Sequence, residues 1–475
     1  MPFALHDILP DTAGLPALNV TGVTADSREV APGEAFFALP GTRAHGNAYA
    51  ATAIAAGAAA IVTDTPLTAS VPVIIVPDAR AAFARAACIV FAPQPRVAVA
   101  VTGTAGKSSV VSFVRQIWQS NGIKGASLGT LGLAIGDKII PGELTTPDAK
   151  SLHKTLQEIK AKGVDHVAME ASSHGLDQRR LEGVTFRAAA FTNLSHDHLD
   201  YHANLEAYRD AKLRLFTDLL APRGAAVINI DDPEHGPFLY TALESGAHLM
   251  TVGTEGGFIS IDKVARDGFA QRVSIRLKGT PHEFRLPLAG AFQVSNALVA
   301  ASLAIASGVD AKGALAALEK VRGAKGRMEL AGEKHGAGIY VDYAHKPAAL
   351  QSVLEALRPF ARGKLVVVFG CGGDRDKEKR PVMGKIASHL ADRVIVTDDN
   401  PRTEDAASIR RAILAAAPAA REIGDRATAI RAAIEELEAG DVLLIAGKGH
   451  EDYQIVGNEK RHFSDHEVVA EALLK

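Results

Sequence analysis

Apolar and polar positions change rhythm along the chain. Residues 1–93 carry apolar runs of strand length, Phe36-Phe37-Ala38-Leu39 and Val73-Ile74-Ile75-Val76, around an alanine-rich stretch from Tyr49 to Ala60 that reads as helix. Ala92-Pro93-Gln94-Pro95 breaks this pattern, because proline disfavours both helix interiors and central strands. From Val97 onward, buried-strand runs alternate with longer amphipathic segments: Val97–Val101, His166–Met169, Ala188–Phe191 and Ala225–Ile230. Strands that alternate with helices predict parallel βαβ units. Arg272-Val273-Ser274-Ile275-Arg276-Leu277 alternates with period two and predicts a few antiparallel strands. After the glycine-rich, charged hinge Gly323-Ala324-Lys325-Gly326, three apolar runs, Leu365–Phe369, Val394–Thr397 and Val442–Ala446, predict a Rossmann-like domain.

The expected fold class is therefore α/β with three domains: a small N-terminal α/β domain at 1–93, a central mononucleotide-binding α/β domain at 94–326, and a C-terminal Rossmann-like domain at 327–475. A chain of 475 residues exceeds one ordinary core, which agrees with that division. With 47% hydrophobic and 22% charged residues the composition is that of a soluble globular protein. The net charge of -2 gives no ground for a nucleic-acid or membrane partner. Two cysteines, Cys88 and Cys371, speak against a disulfide framework, and Met1 to Asp11 shows no secretory pattern. A cytoplasmic location and a monomeric working form are expected.

The candidate chemistry lies where the predicted strands end. Between Val97–Val101 and a helix from Lys107 to Ser120 sits Thr102-Gly103-Thr104-Ala105-Gly106-Lys107-Ser108. Glycines turn backbone N–H groups toward a polyphosphate, the helix N-terminus adds its dipole, and Lys107 adds charge. Ser108 offers an oxygen to Mg²⁺. The general phosphate-loop pattern asks for glycine where Val101 stands, so the loop departs from that pattern while keeping its physics. After the later strands come Glu170-Ala171-Ser172-Ser173-His174-Gly175 and Thr192-Asn193-Leu194-Ser195-His196-Asp197-His198, a carboxylate and several histidines. Mg²⁺ needs such oxygen ligands; the histidines alone are equally compatible with packing or surface roles. In the last domain the strand ends are Gly370–Asp376, Asp398-Asp399-Asn400-Pro401-Arg402 and Gly447-Lys448-Gly449-His450-Glu451-Asp452. Arginine beside acidic groups suits a ligand with carboxylate and ammonium ends, an amino acid.

Taken in order, Thr102–Ser108, Thr145-Thr146-Pro147-Asp148, Met169–Gly175, Asp197-His198, Tyr208–Lys212, Gly326-Arg327-Met328-Glu329, Asp342-Tyr343-Ala344-His345 and Asp399–Arg402 resemble the Mur ligase family along essentially the whole chain. The resemblance implies that ATP phosphorylates a substrate carboxylate and that an amino acid's amine then attacks the acyl phosphate. It implies a uridine-nucleotide substrate, UDP-N-acetylmuramoyl-L-alanyl-D-glutamate, with meso-diaminopimelate as the incoming amino acid. It implies ATP contacts at Thr102, Gly103, Thr104, Gly106, Lys107, Ser108, Asn296, Arg327 and Asp342, the last three across the domain hinge. Two Mg²⁺ sites would draw on Ser108, Glu170, His198 and Lys212, the lysine as its carbamate; Lys107, Glu170, His198 and Lys212 would be catalytic. Ser27, Thr42, Arg43 and Ala44 would meet the uridine end of the substrate. Thr145, Thr146, Ser172, Gln178 and Arg180 would meet its muramoyl-peptide. Arg375, Asp399, Asn400, Pro401, Arg402, Gly447 and Glu451 would bind diaminopimelate. Ala105 replaces an asparagine common in the family, and Thr42-Arg43-Ala44 differs from the usual His-Gln-Ala. Competing readings are a ligase of the same architecture that adds L-lysine, a P-loop ATPase without ligation, and a histidine-based hydrolase.

Overall fold

The computed structural model describes the whole chain except residues 1, 11, 13, 42, 43, 199 and 475. It divides into two compact units, residues 1–259 with 299–314, and residues 260–298 with 315–475.

The first unit opens with a four-stranded parallel sheet in the order Val23–Thr24, Ala35–Ala38, Ala60–Thr63, Val73–Ile75. Side chains alternate across it, as strand geometry requires. Ala35, Phe37, Ala60 and Val62 pack on one face with Phe83 and Ala87 of the helix Ala79–Val90. Phe36, Ala38 and Ile61 pack on the other with Ala50 and Ala53. Burial on both faces is why these strands read as unbroken apolar runs. The helix expected over Tyr49–Ala60 is shorter, Ala50–Ala55, because Gly57 at φ +101° turns the chain into the next strand.

The same unit then builds a larger sheet. Its strands run in the order Lys138–Ile140, Gly132–Ile135, Gly125–Gly129, His166–Glu170, Val97–Thr102, Phe186–Phe191, Leu220–Asn229, His248–Gly253. From Gly125–Gly129 onward neighbours are parallel, and the first two strands form an antiparallel meander at the edge. Val97–Thr102 is central, flanked by the strands that end in Glu170 and Phe191. The helix Lys107–Ser120 buries Val110, Phe113, Val114, Ile117 and Trp118 and stops at Asn121, followed by Gly122 at φ +74°. The Trp118 indole donates to Ser307 Oγ at 2.9 Å.

The second unit contains Ala270–Leu277 and Thr280–Leu286, an antiparallel pair where the alternating pattern predicted one, with the strand Ile259–Asp267 before them in the chain. Its main sheet runs Glu329–Lys334, Ala337–Asp342, Val442–Ala446, Leu365–Phe369, Arg393–Val396, Arg421–Glu422, parallel apart from the first strand. Val367, Phe369 and Leu444 face one core, and Val366, Val368, Leu443 and Ile445 face the other, so helices cover both sides. Arg426 and Asp465 form a fully buried two-point ion pair, at 2.7 and 2.8 Å, between two of these helices. Among the described residues no helix is long and apolar enough to cross a membrane.

Candidate active site

In a parallel sheet ligands collect beyond the carboxyl ends of the strands. The loop after Val97–Thr102 is braced by the segment after the adjacent strand Phe186–Phe191. Thr104 N–H donates to Asn193 O at 2.8 Å, Ala105 N–H to Asn193 Oδ1 at 2.8 Å, and Thr192 Oγ1 to Ala105 O at 2.7 Å. Gly103, at φ +148°, leaves no room for a side chain, since a Cβ there would overlap Thr192 Oγ1. Gly106 at φ +86° opens the helix that begins with Lys107 and the buried Ser108. Lys107 Nζ donates to the carbonyls of Gly103 and Thr104 at 2.7 and 2.9 Å. Thr102 Oγ1 is buried without a hydrogen-bond partner, an unused oxygen at the base of the loop.

Glu170 ends the other flanking strand and is buried. Its carboxylate accepts Thr130 N–H at 2.9 Å and Thr130 Oγ1 at 3.1 Å. Gly129 makes this possible, because a Cβ there would overlap Glu170 Oε1. Thr130 also reaches Thr145 Oγ1 at 2.9 Å. Thr146 Oγ1 donates to Glu170 O at 2.9 Å and accepts from Ser172 N–H and Oγ at 3.1 and 3.0 Å. Arg180 donates to Thr146 O at 2.7 Å and, through Nη2, to Gln178 Oε1 at 2.7 Å. The expected peptide-contacting residues thus form one connected network around Glu170.

Lys212 is brought to the same place by the helix Leu205–Thr217, whose N-terminus is capped by Asn204. Its Nζ is buried, donates to Gly103 O at 2.9 Å and lies 4.3 Å above the Tyr208 ring. Burial, with the charge of Lys107, holds its ammonium well below the usual lysine range, while Asp197 pulls the other way. Burial also pushes the Tyr208 phenol up to about 12. His198 sits at φ +56°, a strained conformation for a residue with a side chain, and its backbone N–H is held by Asp197 at 3.0 Å. Its ring packs 4.9 Å from His174, which also contacts Tyr201 and His202. Burial lowers the pKa of His174 and His202.

Ser27 and Ala44 follow the adjacent parallel strands Val23–Thr24 and Ala35–Ala38 at one edge of the small sheet. Ser27 lies in a turn where Asp26 Oδ1 accepts Arg28 N–H at 2.9 Å. Thr42 and Arg43 lie outside the described residues.

The second unit gathers another polar cluster at the ends of Leu365–Phe369, Arg393–Val396 and Val442–Ala446. Lys448 Nζ is buried, 3.0 Å from Asn400 Oδ1 and 3.5 Å from both Asp399 Oδ1 and Glu451 Oε2. Asn400 Nδ2 donates to Glu451 Oε2 at 3.1 Å, and Tyr343 OH lies 3.5 Å from Glu451 Oε1. Arg402, at φ +52°, donates through Nη1 to Gly373 O at 2.9 Å. Its N–H is taken by Ile455 O at 3.0 Å. Glu404 ties the neighbouring loop down: it accepts Arg380 Nη2 on both oxygens at 3.0 Å and Asp374 N–H at 2.6 Å, which hold its carboxyl near 2. Pro401 and Gly447 are buried within this cluster, whereas Arg375 is exposed. In the same unit the Asp342 carboxylate accepts Met328 N–H at 2.6 Å and Ala344 N–H at 2.7 Å. Burial raises its pKa against the pull of Arg327. Arg327 lies 4.9 Å over the Tyr343 ring, and Asn296 donates to Gln293 at 3.2 Å.

Three family models match in succession: the Mur ligase family catalytic domain at residues 19–102, the Mur ligase middle domain at 101–304, and the Mur ligase glutamate ligase domain at 326–449. This chain belongs to the Mur ligase family. A protein of Mesorhizobium japonicum named UDP-N-acetylmuramoyl-L-alanyl-D-glutamate–2,6-diaminopimelate ligase is 54% identical over 461 residues, covering 96% of this chain and 95% of its own. A Bradyrhizobium diazoefficiens protein of the same name is 54% identical over 478 residues, 99% of both chains. A solved structure of a ligase of that name superposes with a TM-score of 0.76 at 33% identity, covering 100% of this chain and 99% of the other. The Mur ligase fold, with N-terminal, central and C-terminal α/β domains, is the fold class that the apolar pattern predicted.

Sequence reasoning left out several residues that shape these sites. Gly129 and Thr130 follow a short strand, Gly125–Gly129, whose glycine and serine give little apolar signal. Thr192 and Asn193 stand directly after a strand, where their position was the available signal. Lys448 and Tyr343 fell inside motifs without a role of their own.

Proposed function

We propose that this Mur ligase is the ATP-dependent enzyme that joins meso-diaminopimelate to the D-glutamate γ-carboxylate of UDP-N-acetylmuramoyl-L-alanyl-D-glutamate, a step in making peptidoglycan precursors. The observation that carries the reading is the 54% identity to relatives of that name across nearly the whole of both chains. The proposed domains are 1–93 for the uridine nucleotide, 94–326 for ATP and 327–475 for the amino acid.

The backbone N–H groups from Gly106 to Ser108, with the helix dipole behind them, would cradle the ATP phosphates, and Lys107 would neutralise the transferring group. We also propose nucleotide contacts for Asn296, Arg327 and Asp342. The dipeptide carboxylate attacks the γ-phosphorus, the bond to the bridging oxygen breaks, and ADP leaves. The amine of diaminopimelate then attacks the acyl phosphate, loses a proton, and expels phosphate. Thr145, Thr146, Ser172, Gln178 and Arg180 would hold the peptide so that its carboxylate meets the phosphate in line. Ser27 and Ala44, with Thr42 and Arg43, would take the uridine end.

The donor set near the loop suits Mg²⁺: a buried carboxylate in Glu170, the Ser108 hydroxyl, an unpartnered Thr102 oxygen and the His198 imidazole. Bound there, Mg²⁺ would offset the negative charge that the transferring phosphate and the acceptor carboxylate bring together. A buried Lys212 with a depressed pKa offers a neutral amine, the form that reacts with carbon dioxide. We propose that Lys212 is carbamylated and that the resulting carboxylate serves a second Mg²⁺ with His198.

In the second unit, Glu451 would accept the distal ammonium of diaminopimelate and Arg402, with Arg375, the distal carboxylate that L-lysine lacks. Asp399, Asn400, Pro401 and Gly447 would line that site. ADP release with the muramoyl-dipeptide nucleotide should require an amino acid and be faster with meso-diaminopimelate than with L-lysine. Faster turnover with L-lysine, or ADP release indifferent to the nucleotide-sugar, would overturn the reading.

A further inference from the structure

Lysine is costly to bury, and Lys448 is fully buried inside the cluster assigned to the amino acid. Its surroundings account for it. Two carboxylates, Asp399 and Glu451, each lie 3.5 Å from its ammonium, and the Asn400 amide oxygen lies at 3.0 Å. Asn400 Oδ1 also accepts Ile455 N–H at 3.0 Å, so two donors fix which way the amide faces. The amide nitrogen is thereby directed at Glu451 Oε2, 3.1 Å away. Glu451 Oε2 is thus engaged by Asn400 and Lys448, while Tyr343 OH lies 3.5 Å from Oε1 and the Tyr453 hydroxyl also bonds this carboxylate. Lys448 is therefore the cation that both Asp399 and Glu451 share, each at 3.5 Å.

We propose that Lys448 is a positioning residue that balances Asp399 and Glu451 and, through Asn400, fixes the aim of Glu451 at the ammonium group of the amino acid. The inference rests on the reading of this cluster as the diaminopimelate site and adds to it a residue that acts through Asn400 and Glu451. Without Lys448, Asp399 and Glu451 would both lose the ammonium that lies 3.5 Å from each. Asn400 would lose one of the two donors that orient it. The consequence falls on recognition of the amino acid rather than on phosphate transfer.

The test is steady-state kinetics on the full-length enzyme. Wild-type ADP release that depends on meso-diaminopimelate is established first; its absence would sink the functional reading before any variant is made. Lys448→Met should then raise KM for meso-diaminopimelate by roughly thirtyfold or more, the scale for removing one partner of a buried charge pair. KM for ATP and for the muramoyl-dipeptide nucleotide should stay within about twofold, since the residues proposed for those ligands do not include Lys448, Asp399 or Glu451. Lys448→Arg, which keeps the charge, should recover part of the loss. Lys448→Met combined with Asp399→Asn, which removes one of the two carboxylates that Lys448 balances, should bind meso-diaminopimelate better than Lys448→Met alone. An unchanged KM for the amino acid, equal rises in all three KM values, or no recovery in either the Arg or the double variant would overturn the proposal. Thermal midpoints of every variant separate these outcomes from a loss of folded protein.

Discussion

Lys212 Nζ donates to the carbonyl of Gly103 across 2.9 Å, which places a buried lysine of the first unit against the turn of the phosphate loop. A charged lysine in that position is opposed by burial and by Lys107, so the neutral amine is favoured. Carbamylation of that amine forms an N–C bond to carbon dioxide and releases one proton, leaving a carboxylate where the neutral amine stood.

Lys212→Ala should therefore lower kcat by roughly 10²–10³-fold, the range for losing one preorganised group at the transferring charge. Added acetate or formate should restore part of the activity. Carbon-13 NMR of the wild-type protein in labelled bicarbonate should show a carbamate resonance that Lys212→Ala lacks. An unmodified lysine in an active, bicarbonate-equilibrated sample would refute the assignment.

Gly129 is as necessary to Glu170 as any hydrogen bond, because a methyl group there would overlap the carboxylate oxygen that Thr130 holds. Gly129→Ala should push Glu170 out of place and lower kcat by about a hundredfold, the loss that a misplacement of about 1 Å produces. KM for diaminopimelate should hardly change. Crystal structures of the variant and the parent would reveal the displaced carboxylate, and an unmoved Glu170 would contradict the argument.

The large features of this molecule were legible in the sequence because they depend on local rules. Val97–Val101, Leu365–Phe369 and Val442–Ala446 are strands buried on both faces, so they appear as continuous apolar runs. The Lys107–Ser120 helix announces its start with glycine and its end with Asn121-Gly122. What stayed hidden depends on distant partners. Gly125–Gly129 is a strand because it pairs with His166–Met169 on one side and Gly132–Ile135 on the other, and its own residues carry no strand signal. Lys212 and Lys448 look like any solvated lysine until the fold buries them. The meeting of Thr146, Ser172 and Arg180 likewise joins segments far apart in the chain.

His153 is a pH-sensitive weak point in the first unit. Its ring is buried, with Gln94 Nε2 at 3.0 Å from Nδ1 and Glu182 O at 3.0 Å from Nε2, an arrangement that satisfies the neutral ring. Burial lowers its pKa from 6.5 to about 4, against the pull of Glu182 O. Below pH 6.5 the unfolded chain takes up a proton that folded His153 refuses until about pH 4. Stability should thus be level above pH 6.5 and fall across that window, by on the order of 3 kcal/mol at its acid end. Thermal midpoints of the parent and His153→Gln between pH 4 and 7.5 would check this, the variant showing the shallower slope. Part of the slope should remain, because burial beside Arg327 and Lys325 holds His450 near 4 as well.

Arg402 provides the sharpest test of amino-acid choice. Its strained backbone at φ +52° is locked by Ile455 O on its N–H and by Gly457 N–H on its carbonyl, and Nη1 is anchored to Gly373 O at 2.9 Å. At Gly372 a Cβ would come within 2.8 Å of Nη1, so a side chain there would displace the guanidinium. A guanidinium held this firmly presents a fixed fork, which matches a carboxylate in two hydrogen bonds. Lysine cannot reproduce that geometry, although it keeps the charge. Arg402→Lys should lower kcat/KM for meso-diaminopimelate by roughly ten- to a hundredfold, the cost of about 1–3 kcal/mol for losing a paired contact. Activity with L-lysine, which offers no distal carboxylate, should change far less, so the preference between the two amino acids should narrow. Initial rates of ADP release with each amino acid measure both quantities. An equal loss for both would mean that Arg402 supports the loop without reading the carboxylate.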